Sequence, residues 1–205
     1  MYKKKSKEYF KIAIIYYIFY IIVLFLITYF NLSSYRFSKL IYFFLTLICI
    51  LIVCFKDKKL VNLGLESKNL LSGTIFTIIV AVISFIITIN TAAPLSVLKN
   101  ILYYLISVSL TEEIIFRGFL QSYLFGLKIK PVFIYIIGAI FFSLSHIPLR
   151  ITFVPLVDLI PELLFCFFFH LFLCFITKKE NNIAIPVGLH FIWNYFTVVA
   201  KQFFL

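Results

Sequence analysis

Apolar runs of roughly 20 residues follow one another along this chain, separated by short polar breaks. They fall near 10–30, 39–55, 70–90, 97–125, 131–147, 157–177 and 183–202. Such a run, wound as a helix, crosses about 30 Å of hydrocarbon. Backbone groups in lipid must bond internally, which leaves helices or closed barrels. The runs are continuous and lack the alternation of a barrel strand, so the pattern predicts helices. The expected fold is all-α, a polytopic membrane helix bundle of about seven transmembrane helices. It forms a single integral membrane domain over 1–205, with no internal repeat and no long linker. The longest polar break, 56–69, also carries Gly64.

Composition strengthens the membrane reading. Hydrophobic residues make up 63% of the 205, against about 45–50% in a soluble domain, and mean hydropathy is +1.10. No core of this length hides that much apolar surface from water. The net charge of +11 does not point to nucleic acid, because the lysines flank apolar segments. They cluster at Lys3 to Lys5, Lys56 to Lys59, Lys128 with Lys130, and Lys178 with Lys179. With the N-terminus in the cytoplasm all four clusters fall inside, and the outer loops keep Arg36, Lys39, Lys99 and Arg150, with Lys201 near the outer C-terminus. That is the positive-inside bias, with contact to anionic lipid head groups. The AT-rich style of the composition points to a bacterial cell membrane. The first apolar run is too long for a signal-peptide core and lacks a small-residue cleavage site, so it reads as the first membrane helix. Cys49, Cys54, Cys166 and Cys174 lie inside apolar runs without a CxxC pair and are expected as buried apolar thiols.

Charge inside the fourth run needs a reason. Glu112, Glu113 and Arg117 interrupt an otherwise apolar stretch. Unpaired at the bilayer centre they would cost on the order of 8 kcal/mol. Glu113 and Arg117 are four apart and share a helical face, so they can pair. Glu112 is turned about 100° from Glu113. One carboxylate is thus neutralised while its neighbour points elsewhere, an arrangement that separates a structural acid from a catalytic base. The competing reading is a buried ion pair that only fixes packing.

Three histidines, His146, His170 and His190, also lie in apolar runs. Imidazole is a common general base and metal ligand. Asn194 stands four residues after His190, on one face with it, and an amide can donate to a developing oxyanion. Phe142 stands four residues before His146 and is placed to wall the site. At about 1.5 Å per residue, Glu112 and His146 both lie roughly 21–22 Å from the 126–130 turn. His190 lies only about 12 Å from the inner loop. The levels agree if the 126–130 hairpin projects about two turns into the cytosol, which Gln121 and Ser122 would tolerate, and a site open to the cytosolic side is then expected.

These residues spell Glu-Glu-x-x-x-Arg at 112–117, Phe-x-x-x-His at 142–146 and His-x-x-x-Asn at 190–194. The set resembles the CPBP, or Abi, family, which takes in type II CAAX prenyl endopeptidases and lysostaphin-resistance-like and bacteriocin-immunity proteins. Gly118 after Arg117 and Pro186 before His190 fit the same pattern. The resemblance covers about 98–200 as a catalytic core, while 1–90 holds three family-variable helices similar only in being apolar. It implies intramembrane peptide hydrolysis. By that resemblance Glu112 activates a water, His146 holds and polarises it, His190 and Asn194 stabilise the oxyanion, and Glu113 with Arg117 orders the site. Relatives are often described as metalloproteases. Glu112, His146 and His190 are the ligands if zinc is present. The local HExxH spacing is absent, and a metal-free glutamate–histidine mechanism is equally compatible. Relatives often carry small residues where this chain has His170 and Cys174, which puts close approach of that helix in doubt. His170 is expected as a packed residue, and Asp158 and Glu162 as acids complementing a helix N-terminus.

The leading expectation is therefore an intramembrane endopeptidase acting on a membrane-associated peptide or protein, with the lipid bilayer as its other partner. The alternative is a bacteriocin-immunity or regulatory scaffold on the same fold without proteolysis. A transporter is a third class, which no inverted repeat supports.

Overall fold

The computed structural model describes residues 5–30, 35–65 and 69–204, with the backbone alone for 35–38 and 199–204. Lys3 and Lys4 lie outside the described residues, as do the side chains of Arg36 and Lys201. Seven helical rods follow in chain order: α1 Lys7–Tyr29, α2 Tyr35–Asp57, α3 Leu70–Thr88, α4 Pro94–Leu127, α5 Pro131–Leu144, α6 Leu156–Glu180 and α7 Ala184–Phe204. There is no strand among the described residues. Six stretches are long and apolar enough to cross a membrane: α1, Lys39–Asp57 of α2, α3, α4, α5 with its extension to Arg150, and α6. The bundle turns apolar side chains outward, as a lipid-facing surface requires: Ile15, Phe55 and Phe168 are all exposed.

Local chemistry sets the ends of the rods. Pro94 and Pro131 open α4 and α5 at the first helical position, where the missing N–H is no loss. Asn181 closes α6 with φ of 57°, a left-handed cap that asparagine tolerates. Lys178 and Lys179 occupy the last turn of α6, where cations suit the helix dipole.

α4 runs through the centre. Tyr16 and Tyr20 of α1 pack edge-on against Phe119 and Phe116, with ring centres 5.0 and 5.4 Å apart. α1 also ties to α5. Tyr17 stacks on Phe141 at 4.1 Å and donates its hydroxyl to the Phe141 carbonyl. α3 and α7 approach closely through Gly73 and Gly188, where an added Cβ would meet Ala184 and Thr77 at 2.8 Å. Small residues of this kind let membrane helices pack without a hydrophobic driving force. Hydrogen bonds from Thr77 to the Ala184 carbonyl and between Thr88 and Tyr195, both 2.7 Å, hold the pair.

At the lysine-rich end the chain between α2 and α3 folds under the bundle. A single 3₁₀ turn, Leu60–Leu63, buries Leu63 completely. It lies so close to α4 that a Cβ on Gly118 would stand 2.9 Å from the Leu63 carbonyl oxygen. The Ile183 N–H donates to the Gly64 carbonyl, which joins this segment to the start of α7. Beside it, Lys5 and Asp57 pair at 3.4 Å, and the Tyr123 hydroxyl donates to Asp57 at 2.9 Å. Burial holds the Lys5 amine below its usual pKa, with Asp57 opposing the shift. Lys56 pairs with Glu8.

Three expectations need correction. Gln121 and Ser122 are fully buried, because α1, α5 and α6 enclose the turns that were expected to face the cytosol. Cys54 is exposed, facing outward, while the other three cysteines are buried as expected. Close approach of α6 does occur, and the small residue that permits it is Gly138 on α5. A Cβ there would run into the Gln121 amide oxygen and come within 3.2 Å of His170 Nε2.

Candidate active site

α4 is unusual where the charges sit. Two eight-residue stretches, Tyr103–Leu110 and Glu113–Leu120, are wound as π-helix. Such turns are wider than α turns and are found most often as short bulges at functional sites. Every residue of the second stretch is buried, so the wide winding lies at the centre of the bundle.

The two glutamates divide as their spacing predicted. Glu113 is fully buried, and its Oε1 accepts from Arg117 Nη1 at 2.7 Å. The same oxygen lies 2.7 Å from His190 Nδ1. Arg117 is also fully buried, with its guanidinium 4.3 Å from the centre of the Phe142 ring, an attractive cation–π arrangement. Glu112 faces a cavity instead, its Oε2 3.7 Å from His190 Nε2. A carboxylate accepts, so Glu113 takes the Nδ1 hydrogen of His190 and turns Nε2 toward Glu112.

His146 sits where α5 ends. Its Nδ1 faces the Phe142 carbonyl at 2.9 Å. A carbonyl has no hydrogen to give, so Nδ1 donates and Nε2 is the basic nitrogen of the neutral ring. The Cys166 thiol of α6 lies within hydrogen-bonding reach of this imidazole. Phe142 is the common neighbour: its ring centre lies 4.9 Å from His146, 5.2 Å from His170, 6.1 Å from His190 and 5.0 Å from Phe116. His170 is fully buried behind it, with Nε2 3.2 Å from both Gln121 Oε1 and Cys174 Sγ. It is a packed residue that supports Phe142.

Glu112, His146, His190 and Asn194 all line one cavity of about 880 Å³. The helical levels that disagreed on a count of residues therefore coincide. α7 begins beside Gly64, and the 60–63 turn is level with Gly118, two turns short of Gly126. The α4–α5 hairpin thus extends past the start of α7 by the amount the site required.

The cavity extends away from the 126–130 turn. Toward the mouth the cavity is lined by Thr28, Tyr103, Arg150, Phe153, Asp158 and Thr197. These belong to the ends of the helices opposite the 126–130 turn. At the 126–130 end, Leu63, Gln121, Ser122, Asn182 and Ile183 fill the interior. Glu162 pairs with Arg150 at 3.0 Å, and Asp158 stands in the first turn of α6 without a capping bond. Both acids therefore line the cavity as well as suiting the helix dipole.

Sequence reasoning missed several residues here. Tyr20 and Tyr42, from α1 and α2, form part of the wall, as do Cys166 and Trp193, which stacks on Phe165 at 4.1 Å. Hydropathy marks such residues as membrane helix and carries no signal of which face turns inward.

Zinc does not fit this arrangement. Among the described residues no three His, Cys, Asp or Glu side chains are grouped to hold a metal ion.

The family model described as type II CAAX prenyl endopeptidase Rce1-like matches residues 94–196. No curated protein and no solved structure matches the chain.

Proposed function

The chain belongs to the type II CAAX prenyl endopeptidase Rce1-like family, and on that footing we propose that it is an intramembrane endopeptidase that cleaves a membrane-associated peptide with a glutamate-activated water. The observation that carries the reading is the division of labour between adjacent carboxylates. Glu113 is consumed by Arg117 and His190, while Glu112 faces the cavity beside His190.

The reaction follows from those positions. A water between Glu112 and His146 donates one hydrogen to the carboxylate and the other to His146 Nε2. Glu112 takes its proton as the water oxygen bonds to the peptide carbonyl carbon. The oxyanion that forms accepts hydrogen bonds from the Asn194 amide and from His190 Nε2–H, with the His190 ring held through Nδ1 by Glu113. The C–N bond then breaks, Glu112 passes its proton to the leaving amine, and the other product is a carboxylic acid, which becomes a carboxylate by giving its remaining proton to His146 Nε2. Arg117 and Glu113 do not touch substrate. They fix the ring of His190 and, through Phe142, the position of His146.

The work belongs to a bacterial cell membrane, with the N-terminus cytoplasmic. The test is cleavage by detergent-purified protein, wild type against Glu112→Gln and His146→Ala, on prenylated and unprenylated membrane peptides with and without chelator. The expected result is cleavage lost in both variants and indifferent to chelator. Cleavage that survives Glu112→Gln overturns the mechanism.

A further inference from the structure

Two features described separately combine. The first is charge. Lys56, Lys58 and Lys59 follow α2, Lys128 and Lys130 occupy the α4–α5 turn, and Lys178 and Lys179 end α6. These segments lie at one end of the bundle, since Lys5 pairs with Asp57 and Gly126 abuts Ser6 and Phe10. The described basic residues of the opposite end are Lys39, Lys99 and Arg150, and Arg150 is paired with Glu162. Loop lysines and arginines within a few turns of membrane helices set orientation and stay on the cytoplasmic side, where anionic lipid also attracts them. The second feature is access. The cavity that holds Glu112, His146 and His190 is also lined by Arg150, Phe153, Asp158 and Thr197, which are exposed at the lysine-poor end. At the lysine-rich end the 60–63 turn lies against Gly118, and Asn182 and Ile183 are buried beneath it.

We infer that this active-site cavity opens on the non-cytoplasmic face of the membrane, so that its substrates are peptide segments presented at the outer leaflet. The word substrate rests on the proteolytic reading above, whereas the side of the opening does not. A cytoplasmic peptide would have to displace Leu63 and the start of α7 to reach Glu112. A segment at the other face meets an open route lined by Tyr103, Phe153 and Asp158. Proteins still on the cytoplasmic side are excluded as substrates, and exported or surface-adsorbed peptides are admitted.

The experiment is thiol labelling in the full chain, in sealed right-side-out and inverted membrane vesicles. Cys54 and Cys166, the cysteines open to lipid or cavity, are replaced by Ser. A single reporter is then placed at the mouth, Asp158→Cys, or in the lysine-rich turn, Lys128→Cys. A membrane-impermeant maleimide should label Asp158→Cys at least tenfold more in right-side-out vesicles, and Lys128→Cys at least tenfold more in inverted ones. Labelling of both after solubilisation reports intact, reactive reporters. The reverse pattern, or equal labelling of each reporter from both sides, overturns the inference. No cleavage is needed for this readout, so an inactive but correctly oriented protein would sink the proteolytic reading and leave the inference standing.

Discussion

Replacing Arg117 by Met removes the guanidinium and keeps an apolar stem of similar length. Arg117 and Glu113 are both fully buried and bonded at 2.7 Å. Taking one partner from such a pair strands the other charge, at a cost of about 3–5 kcal/mol. Loss of the contact with Phe142, 4.3 Å away, adds about 1–2 kcal/mol if the two effects are independent. The companion change Glu113→Gln removes the stranded charge. The double variant Arg117→Met/Glu113→Gln should therefore be more stable than Arg117→Met alone, with a coupling of about 1.5–3 kcal/mol between the sites. Trp193, the single tryptophan of the chain, stacks on Phe165 in the cavity wall and reports the packing by fluorescence. Unfolding of the purified proteins in mixed detergent–SDS micelles, followed at that tryptophan, measures all four corners of the cycle. The reasoning fails if Arg117→Met lies within about 1 kcal/mol of the parent, the range of a solvent-exposed pair. It also fails if the two single losses simply add.

Glu112→Gln should lower cleavage by about 10²–10⁴-fold, the usual worth of a general base, while the same unfolding titration shifts by less than about 1 kcal/mol. Gly118→Ala should destabilise by about 1–3 kcal/mol, because the added Cβ meets the Leu63 backbone at 2.9–3.3 Å and backbone cannot turn aside; a neutral result would show that the 60–63 turn does not seal the bundle. Asp158→Lys, at the cavity mouth, should raise KM for lysine-bearing peptides and lower it for glutamate-bearing ones, with kcat little changed, and steady-state kinetics on a matched peptide pair checks it. A small maleimide should modify Cys166 and silence cleavage by filling the space beside His146, and mass spectrometry with Cys166→Ser as the resistant control decides the point.

Much of this was legible in the residues because membrane burial writes itself into composition. The helix boundaries follow the apolar runs to within a few residues, as α1 and α5 show. The pairing of Glu113 with Arg117, and the turning away of Glu112, follow from a spacing of four against one on any helix. What a single helix cannot disclose is its neighbours. Tyr20 and Tyr42 read as membrane filler until α1 and α2 are seen beside α4. The closeness of Cys166 and His146 depends on how α6 crosses α5, which Gly138 decides and hydropathy does not record. Which end of the bundle the cavity reaches was illegible for a related reason. Counting residues from a turn measures depth, but the 60–65 segment that folds back under α4 closes one end without leaving a mark in the apolar pattern. The π winding of α4 was likewise invisible, since a wide turn keeps i and i+4 near one face as an α turn does.

The side chains over the reacting groups come from both halves of the chain, yet the halves differ in kinship. Glu112, His146, His190 and Asn194 lie within the family-matched 94–196. Tyr20, Ile27, Thr28 and Tyr42, which wall the same cavity, lie before it. The cavity wall thus draws on residues both inside and before the family-matched span, so a change confined to α1 or α2 reshapes the cavity without touching the family motifs.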